Sequence, residues 1–544
     1  MAGGPVSLTT APPAVPPADP VAPRRWRLDP LALAAVAVPT VVLAVVAALD
    51  RIGPWGDQGA IQLATDRAGR FSQLVGPYSR FGWSHPGPLW FYLLAGPYRL
   101  FGGTGRGLAA ATVVVTGVAA LAAVAVVARL GGAAAGRWAA VVVVAQLAAL
   151  GPATVAEVWN PAAIIVPTAL FLVFCAGLAV GRWWMLAGAV GAGGFLVQTD
   201  VSTGLVVAVV GLVALVSAAV RGRFARSRSA RTGREVGLGI GVAAGLAVVV
   251  WLPALVQQLT GSPGNLSRVV RFFRSGPGPG TGLATHHPFG PAARSVAGAL
   301  WPPLRGRLGA GPPGPAATAV ILLGALALAA VAVAVGTRRG RHLGAALGGA
   351  GGLAVVVGVV SATRATGPLY AYLTEWLSGA GAVIVLGLVL ALTGERGQRS
   401  GERRRVVEGR RAGAAAVLAA VALVALAAVL RPPPPAGGAQ ADALFAAVLP
   451  TLPPAGPDRA APPVEVAVAT PDRWPWAAGL LVDLGHHGYR PVAQANWLFL
   501  FGSQLAYSGH PAATVSVWTP GSGPRPPGRQ VAVVGRTAVF VSSS

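Results

Sequence analysis

Long apolar runs separated by arginine-rich connections fill most of this chain, and nothing else in it constrains the fold as tightly. They cover residues 31–49, 107–129, 138–151, 162–180, 184–197, 201–220, 236–255, 316–336, 343–361, 376–393 and 412–430. A helix needs about 20 apolar residues to cross a bilayer core, and a helix satisfies every backbone polar group within its own segment. The chain is therefore expected to be a polytopic α-helical membrane protein of about eleven spans. The runs 138–151 and 184–197 fall short of a full crossing, so their ends are approximate.

Composition agrees. Charged residues make up 11% of the chain, where a soluble protein carries about a quarter, and the mean hydropathy is +0.63. All of the positive charge is arginine, an outcome of high-GC coding rather than of function. A net charge of +25 would suit a nucleic-acid binder, but the arginines sit in short connections between apolar runs, where membrane topology places them. A nucleic-acid surface would gather them on one soluble face, so no nucleic-acid partner is expected. The lone cysteine, Cys175, lies inside an apolar run, which leaves no disulfide framework and no cysteine metal site.

Residues 1–30 form an Ala/Pro-rich tail without periodicity, expected to be disordered and cytoplasmic. Arg24, Arg25 and Arg27 precede the first run and hold that end inside. Eleven crossings then put Arg129 and Arg137, Arg182, the run Arg221 to Arg234, Arg338 to Arg341, and Arg396 to Arg411 on the cytoplasmic side. The first loop (50–106), the short segments around Glu157 and Asp200, the long loop 256–315 and the loop Arg364 to Glu375 fall outside. So does the tail 431–544, beyond a membrane domain of 31–430. In that tail a stiff Pro432 to Pro435 spacer precedes strand-like residues 464–469, a helix over 474–488, and further strands over 513–519 and 530–541. A small extracytoplasmic α/β domain is expected there.

The first loop is far longer than a turn requires, and long ordered loops tend to be functional. In a chain poor in acids it holds Asp50, Asp57 and Asp66, together with His85 and many aromatics. Its pieces run in a set order. Gly56-Asp57-Gln58 comes first, then an amphipathic stretch over 61–70. Ser84-His85-Pro86-Gly87-Pro88-Leu89-Trp90-Phe91-Tyr92 follows, and Phe101-Gly102 closes the loop. This order and spacing resemble the first extracytoplasmic loop of the GT-C glycosyltransferases, which include the protein O-mannosyltransferases, the aminoarabinose–lipid A transferase and the mycobacterial arabinosyltransferases. The resemblance is best over the first six or seven spans. It implies an inverting, polyprenyl-phosphate-sugar-dependent transferase in the cell membrane. The acceptor would be a cell-envelope glycan, lipid or protein.

Carried onto this chain, the resemblance makes Asp57 the general base for the acceptor hydroxyl. Asp57 would also cap a helix beginning at Gln58. Many relatives carry a second acid beside this aspartate. Gln58 stands there instead, which weakens any divalent-cation site, and no metal ligands are assigned. His85 corresponds to the family's basic residue before Pro-Pro; with Arg80 it would face the donor phosphate, Arg binding bidentately. Alternatively Ser84 caps the next helix and Trp83, Trp90 and Tyr92 form an interfacial belt. Glu157 is the available second carboxylate, beside Asn160. Gln198 and Asp200 lie at the mouth between two runs, for sugar contacts or, for Asp200, a helix cap. Asn265 opens a segment whose Arg268 and Arg271 share a helix face, suited to the donor phosphate or to lipid head groups. Gln58, Trp83, Asn160, Gln198, Asp200 and Asn265 complete the expected sugar or acceptor contacts. Asp66 reads as a solvated helix face. His286-His287 lacks a third zinc ligand, and His486-His487 reads as a helix end. The competing readings are a transporter or flippase of lipid-linked intermediates and a non-catalytic scaffold. The crowding of polar groups at outer helix ends, rather than at mid-membrane, favours chemistry over transport.

Overall fold

The structure is a computed structural model that describes residues 29–49, 53–226, 230–277, 283–301, 312–393, 436–455 and 461–543. The expected N-terminal tail, the Arg396 to Arg411 run, the eleventh span and the Pro432 to Pro435 spacer lie outside these residues.

Each of the first ten apolar runs forms a helix. Among the described residues, eight stretches are long and apolar enough to cross a membrane, and two apolar helices are shorter. In chain order the described helices are α1 (Pro30–Leu49), α2 (Gly56–Ala68), α3 (Leu89–Leu100), α4 (Gly105–Gly131), α5 (Ala133–Val155), α6 (Asn160–Ala163), α7 (Ile165–Ala179), α8 (Met185–Thr199), α9 (Gly204–Arg226), α10 (Ala230–Thr260), α11 (Asn265–Ser275), α12 (Phe289–Leu300), α13 (Pro315–Arg338), α14 (His342–Thr363) and α15 (Leu377–Thr393). The run 138–151 looked short because Gly151, with φ 77°, and Pro152 interrupt a helix that continues to Val155. The loop expected from 256 begins later, since α10 runs to Thr260, and it contains α11 and α12.

The basic connections meet at one end of the bundle. Arg137 pairs with Asp29, the Arg129 guanidinium lies 3.9 Å from the Trp184 ring centre, and Arg341 donates to the Ala391 carbonyl at 2.8 Å. The opposite end is built from the first loop, in which α3 buries Trp90, Phe91, Leu94 and Tyr98 in the helical core.

The C-terminal unit rests on α2. It comprises α16 (Ala436–Val448), β1 (Pro463–Val468), α17 (Trp474–His486), β2 (Arg490–Ala493), β3 (Ala513–Trp518), β4 (Arg529–Val534) and β5 (Thr537–Ser543). The sheet order is β2-β1-β3-β5-β4. β1 is parallel to β2 and β3, and β5 is antiparallel to β3 and β4. β2 escapes a pattern search because it has four residues, one of them Pro491. Its core of Val464, Val466, Val515, Val517 and Val539 also takes in Leu63 of α2. The helices touch backbone to backbone there. A Cβ on Gly59 would lie 3.0 Å from the Ala478 carbonyl carbon, and one on Gly479 2.3 Å from the Pro54 oxygen.

Candidate active site

A cavity of about 930 Å³ opens at the end of the bundle away from the basic connections. Its walls come from α2, the segment 72–85, the start of α6, residues 200–205, α11, the loop 364–376 and residues 498–504 of the C-terminal unit. Asp57, Arg80, Trp83, His85, Asn160, Asp200, Asn265 and Arg268 all line it.

Asp57 sits in the first turn of α2 but does not cap it. The helix begins at Gly56, Trp55 holds the cap position, and no side chain closes the cap. Asp57 Oδ1 instead accepts a 2.6 Å hydrogen bond from the Tyr78 hydroxyl. Burial raises the Asp57 pKa, an effect the Tyr78 bond partly opposes. A stronger base held in one rotamer results. Tyr78 is itself positioned by a short hairpin, in which His85 N–H donates to Pro77 O and Gly76 N–H to His85 O, and by an edge contact with Trp474 of the C-terminal unit at 5.9 Å.

His85 differs from the expected phosphate-binding cation. Its Nδ1 accepts from the Val201 backbone N–H at 3.0 Å, so that nitrogen carries a lone pair and the ring proton is on Nε2. Burial lowers its pKa, outweighing the nearby Asp200 charge. At neutral pH the ring is therefore a neutral donor. Positive charge in the cavity comes from Arg80, Arg268, Arg364 and Arg67, the last held by the Gln73 side chain and the Phe501 carbonyl. The Arg80 guanidinium stands over Phe81 at 5.1 Å and Tyr370 at 4.9 Å. Tyr370 stacks on Tyr372, which packs on Trp159 and lines the cavity.

Other expected residues serve to hold this arrangement. Asn265 accepts from Ser84 N–H at 2.9 Å and donates to Ser84 O at 2.8 Å, so its amide pins the hairpin. Ser84 is thus bridged to Tyr78 and caps no helix, since Pro88 precedes α3. Asp200 accepts from Ser202 N–H at 2.9 Å, capping the turn before α9. Asn160 donates to Thr199 O. Trp83 packs on Phe272 and His85.

Four expected site residues do not line the cavity: Gln58, Glu157, Gln198 and Arg271. Glu157 folds back to accept from Trp159 N–H at 3.3 Å; burial raises its pKa, and the charge of Asp57 adds to this. Gln198 is buried and donates to the Val250 carbonyl, tying α8 to α10. Arg268 and Arg271 were expected to share a face, but Arg271 lines a second, smaller cleft. A step of three residues leaves two side chains about 60° apart around a helix, and here Arg268 faces the cavity while Arg271 faces the cleft. Asp66 is not a solvated-face residue: it is partly buried, and burial raises its pKa against the pull of His486. His287 Nε2 meets the Gly367 carbonyl at 2.8 Å and so anchors the loop 364–376. Among the described residues no three His, Cys, Asp or Glu side chains come together to hold a metal ion.

The wall supplied by Phe499, Ser503 and Gln504 had no signal in the sequence. It depends on contacts across more than four hundred residues: Arg67 Nη1 donates to Phe501 O at 2.7 Å and Gln504 Nε2 to Ser72 O at 3.3 Å.

No family model and no curated protein matches the chain. Among solved structures, it is similar to the crystal structure of ArnT from Cupriavidus metallidurans bound to undecaprenyl phosphate. The two are 15% identical and align over 93% of this chain and 97% of that one, with a TM-score of 0.49.

Proposed function

We propose that this protein is a glycosyltransferase of GT-C type. It would transfer a sugar from a polyprenyl-phosphate donor to an acceptor hydroxyl at the outer face of the cell membrane. One observation carries the reading: a carboxylate held by Tyr78 at 2.6 Å lines the same cavity as four arginines, Arg67, Arg80, Arg268 and Arg364, and a neutral imidazole donor. That is the set of groups such a transfer needs, and it matches the order of residues in the first loop.

The donor phosphate would lie toward Arg268, Arg80 and the Nε2–H of His85. Asp57 would take the proton of the acceptor hydroxyl as that oxygen bonds to the anomeric carbon from the face opposite the phosphate. The bond from the anomeric carbon to the phosphate oxygen breaks, and its electron pair leaves on polyprenyl phosphate. The arginines and His85 stabilise charge developing on that oxygen. The acceptor, a cell-envelope glycan, lipid or protein, would enter past Phe499 and Gln504. The apolar outer surface of the helices would accommodate the polyprenyl tail.

The test is release of polyprenyl phosphate from a panel of lipid-linked pentose and hexose donors by purified protein in detergent, with envelope extracts as acceptor source. Asp57→Asn is expected to lower turnover by about 10²- to 10⁴-fold while keeping donor binding. Binding without turnover by the parent protein, or undiminished turnover by the variant, would defeat the proposal.

A further inference from the structure

We propose that the second cleft, between the end of α10 and α11, is a binding site for the phosphate headgroup of an anionic membrane phospholipid, separate from the reaction cavity. The cleft has a volume of about 440 Å³ and is lined by Gln258, Ser267, Val270, Arg271, Arg274 and Ser275, with Leu266 at its edge.

Its chemistry is that of a phosphate site. Ser267, Arg271 and Arg274 all line this one cleft, the two arginines within a single turn of α11. Among the described residues neither arginine has a carboxylate partner, and two exposed guanidinium groups one turn apart present forked donors to phosphate oxygens. Ser267 Oγ accepts from Gln258 Nε2 at 2.7 Å, which leaves its own proton free to donate. Gln258 Oε1 in turn accepts from Ser267 N–H at 3.1 Å. This two-way clasp fixes α11 against the end of α10 and sets the width of the cleft.

The apolar surface below it selects a lipid over a free ion. α10 is among the least covered of the spanning helices, and Val248, Val249, Leu252, Leu255 and Leu259 stand exposed along its last turns. In a bilayer, acyl chains cover such a face. α11 begins five residues after α10 ends and is amphipathic. It buries Val269 and Phe272 beside Trp83 and exposes Val270 and Phe273. A helix of this kind lies in the membrane interface with its arginines at headgroup depth. The other face of α11 carries Asn265 and Arg268 into the reaction cavity, so a lipid held by Arg271 and Arg274 would brace the helix that positions the hairpin of His85.

The test is native mass spectrometry of the full chain released from nanodiscs of phosphatidylcholine with phosphatidylglycerol. Parent protein is expected to retain phosphatidylglycerol, and Arg271→Gln/Arg274→Gln to retain at least five-fold less. Arg268→Gln should behave as the parent, and Arg271→Lys/Arg274→Lys should recover part of the retention. Equal retention by the Gln pair overturns the site. So does equal loss in Arg268→Gln, which would place the lipid in the main cavity. Inorganic phosphate that displaces phosphatidylglycerol at equal concentration would show a free-anion site and overturn the lipid assignment. None of these readouts depends on transferase activity.

Discussion

Tyr78 decides how acidic the medium can become before Asp57 loses its charge. Burial raises the Asp57 pKa and the tyrosine hydroxyl pulls it back. In the proposed role of base Asp57 works only when ionised, so kcat/KM should fall as pH drops through that raised value. A hydrogen bond to a charged group is worth about 1.5–3 kcal/mol, and one pKa unit is about 1.4 kcal/mol. Tyr78→Phe should therefore move the acid limb of the pH–rate profile up by about one to two units and leave the rate at pH 8.5 nearly intact. An unmoved limb would mean the tyrosine only packs. His85→Gln, which keeps a donor without any titration, should lower kcat less than ten-fold and leave the profile's shape unchanged; a His→Gln variant that removes a limb would show that a charged His85 takes part. Both residues could be picked out from the loop's composition. Their states could not: the proton on Nε2 follows from Val201, 116 residues away, and the environment of Asp57 from a hairpin that Asn265 of α11 clamps at Ser84, 181 residues away.

At the scale of elements, the crossing of α2 and α17 attaches the C-terminal unit. Gly59→Val should push against Ala478, and Gly479→Val against Pro54. Overpacking of this kind costs about 1–3 kcal/mol, enough to be seen as faster proteolysis of the C-terminal unit while the helical domain stays folded. The same unit carries a pH dependence. Burial, with the Asp442 charge adding, lifts the Asp483 pKa to about 7. Between about pH 4 and 7 an unfolded Asp483 has lost its proton and the folded one keeps it, so stability falls as pH rises across that window. Asp483→Asn should flatten that fall, stabilising the unit at pH 8 by on the order of 1–2 kcal/mol and leaving pH 4 unchanged. Thermal denaturation at both pH values reads this directly. Period and propensity announced α17 and the strands β1 and β3. The glycine contacts were silent, because a glycine in a helix looks the same whether or not a second backbone lies against it.

For the molecule as a whole, the described basic connections gather at one end and the cavity opens at the other, so the two ends should face opposite sides of a membrane. In a Cys175→Ser background, Pro524→Cys should react with an impermeant thiol reagent in intact cells and Arg338→Cys only after lysis; the reverse pattern would invert the topology. The sequence by itself determined the helical membrane class, a helix in each of the first ten apolar runs, and the placing of the arginines in the connections between them. Each is a local consequence of how much apolar length and charge a segment brings to a bilayer. It also marked the first loop, because chemistry-bearing residues are costly and few in such a chain. Only the tertiary structure decided which of those residues meet. It left Glu157, Gln198 and Arg271 out of the cavity lining and made Asn265 a clamp. It also brought residues 498–504 to the cavity wall. The physical reason is that convergence is a property of packing between elements. A rotation of about 60° along one helix, or one pair of glycines at a crossing, moves a side chain from one cavity to the next without altering any local pattern in the chain.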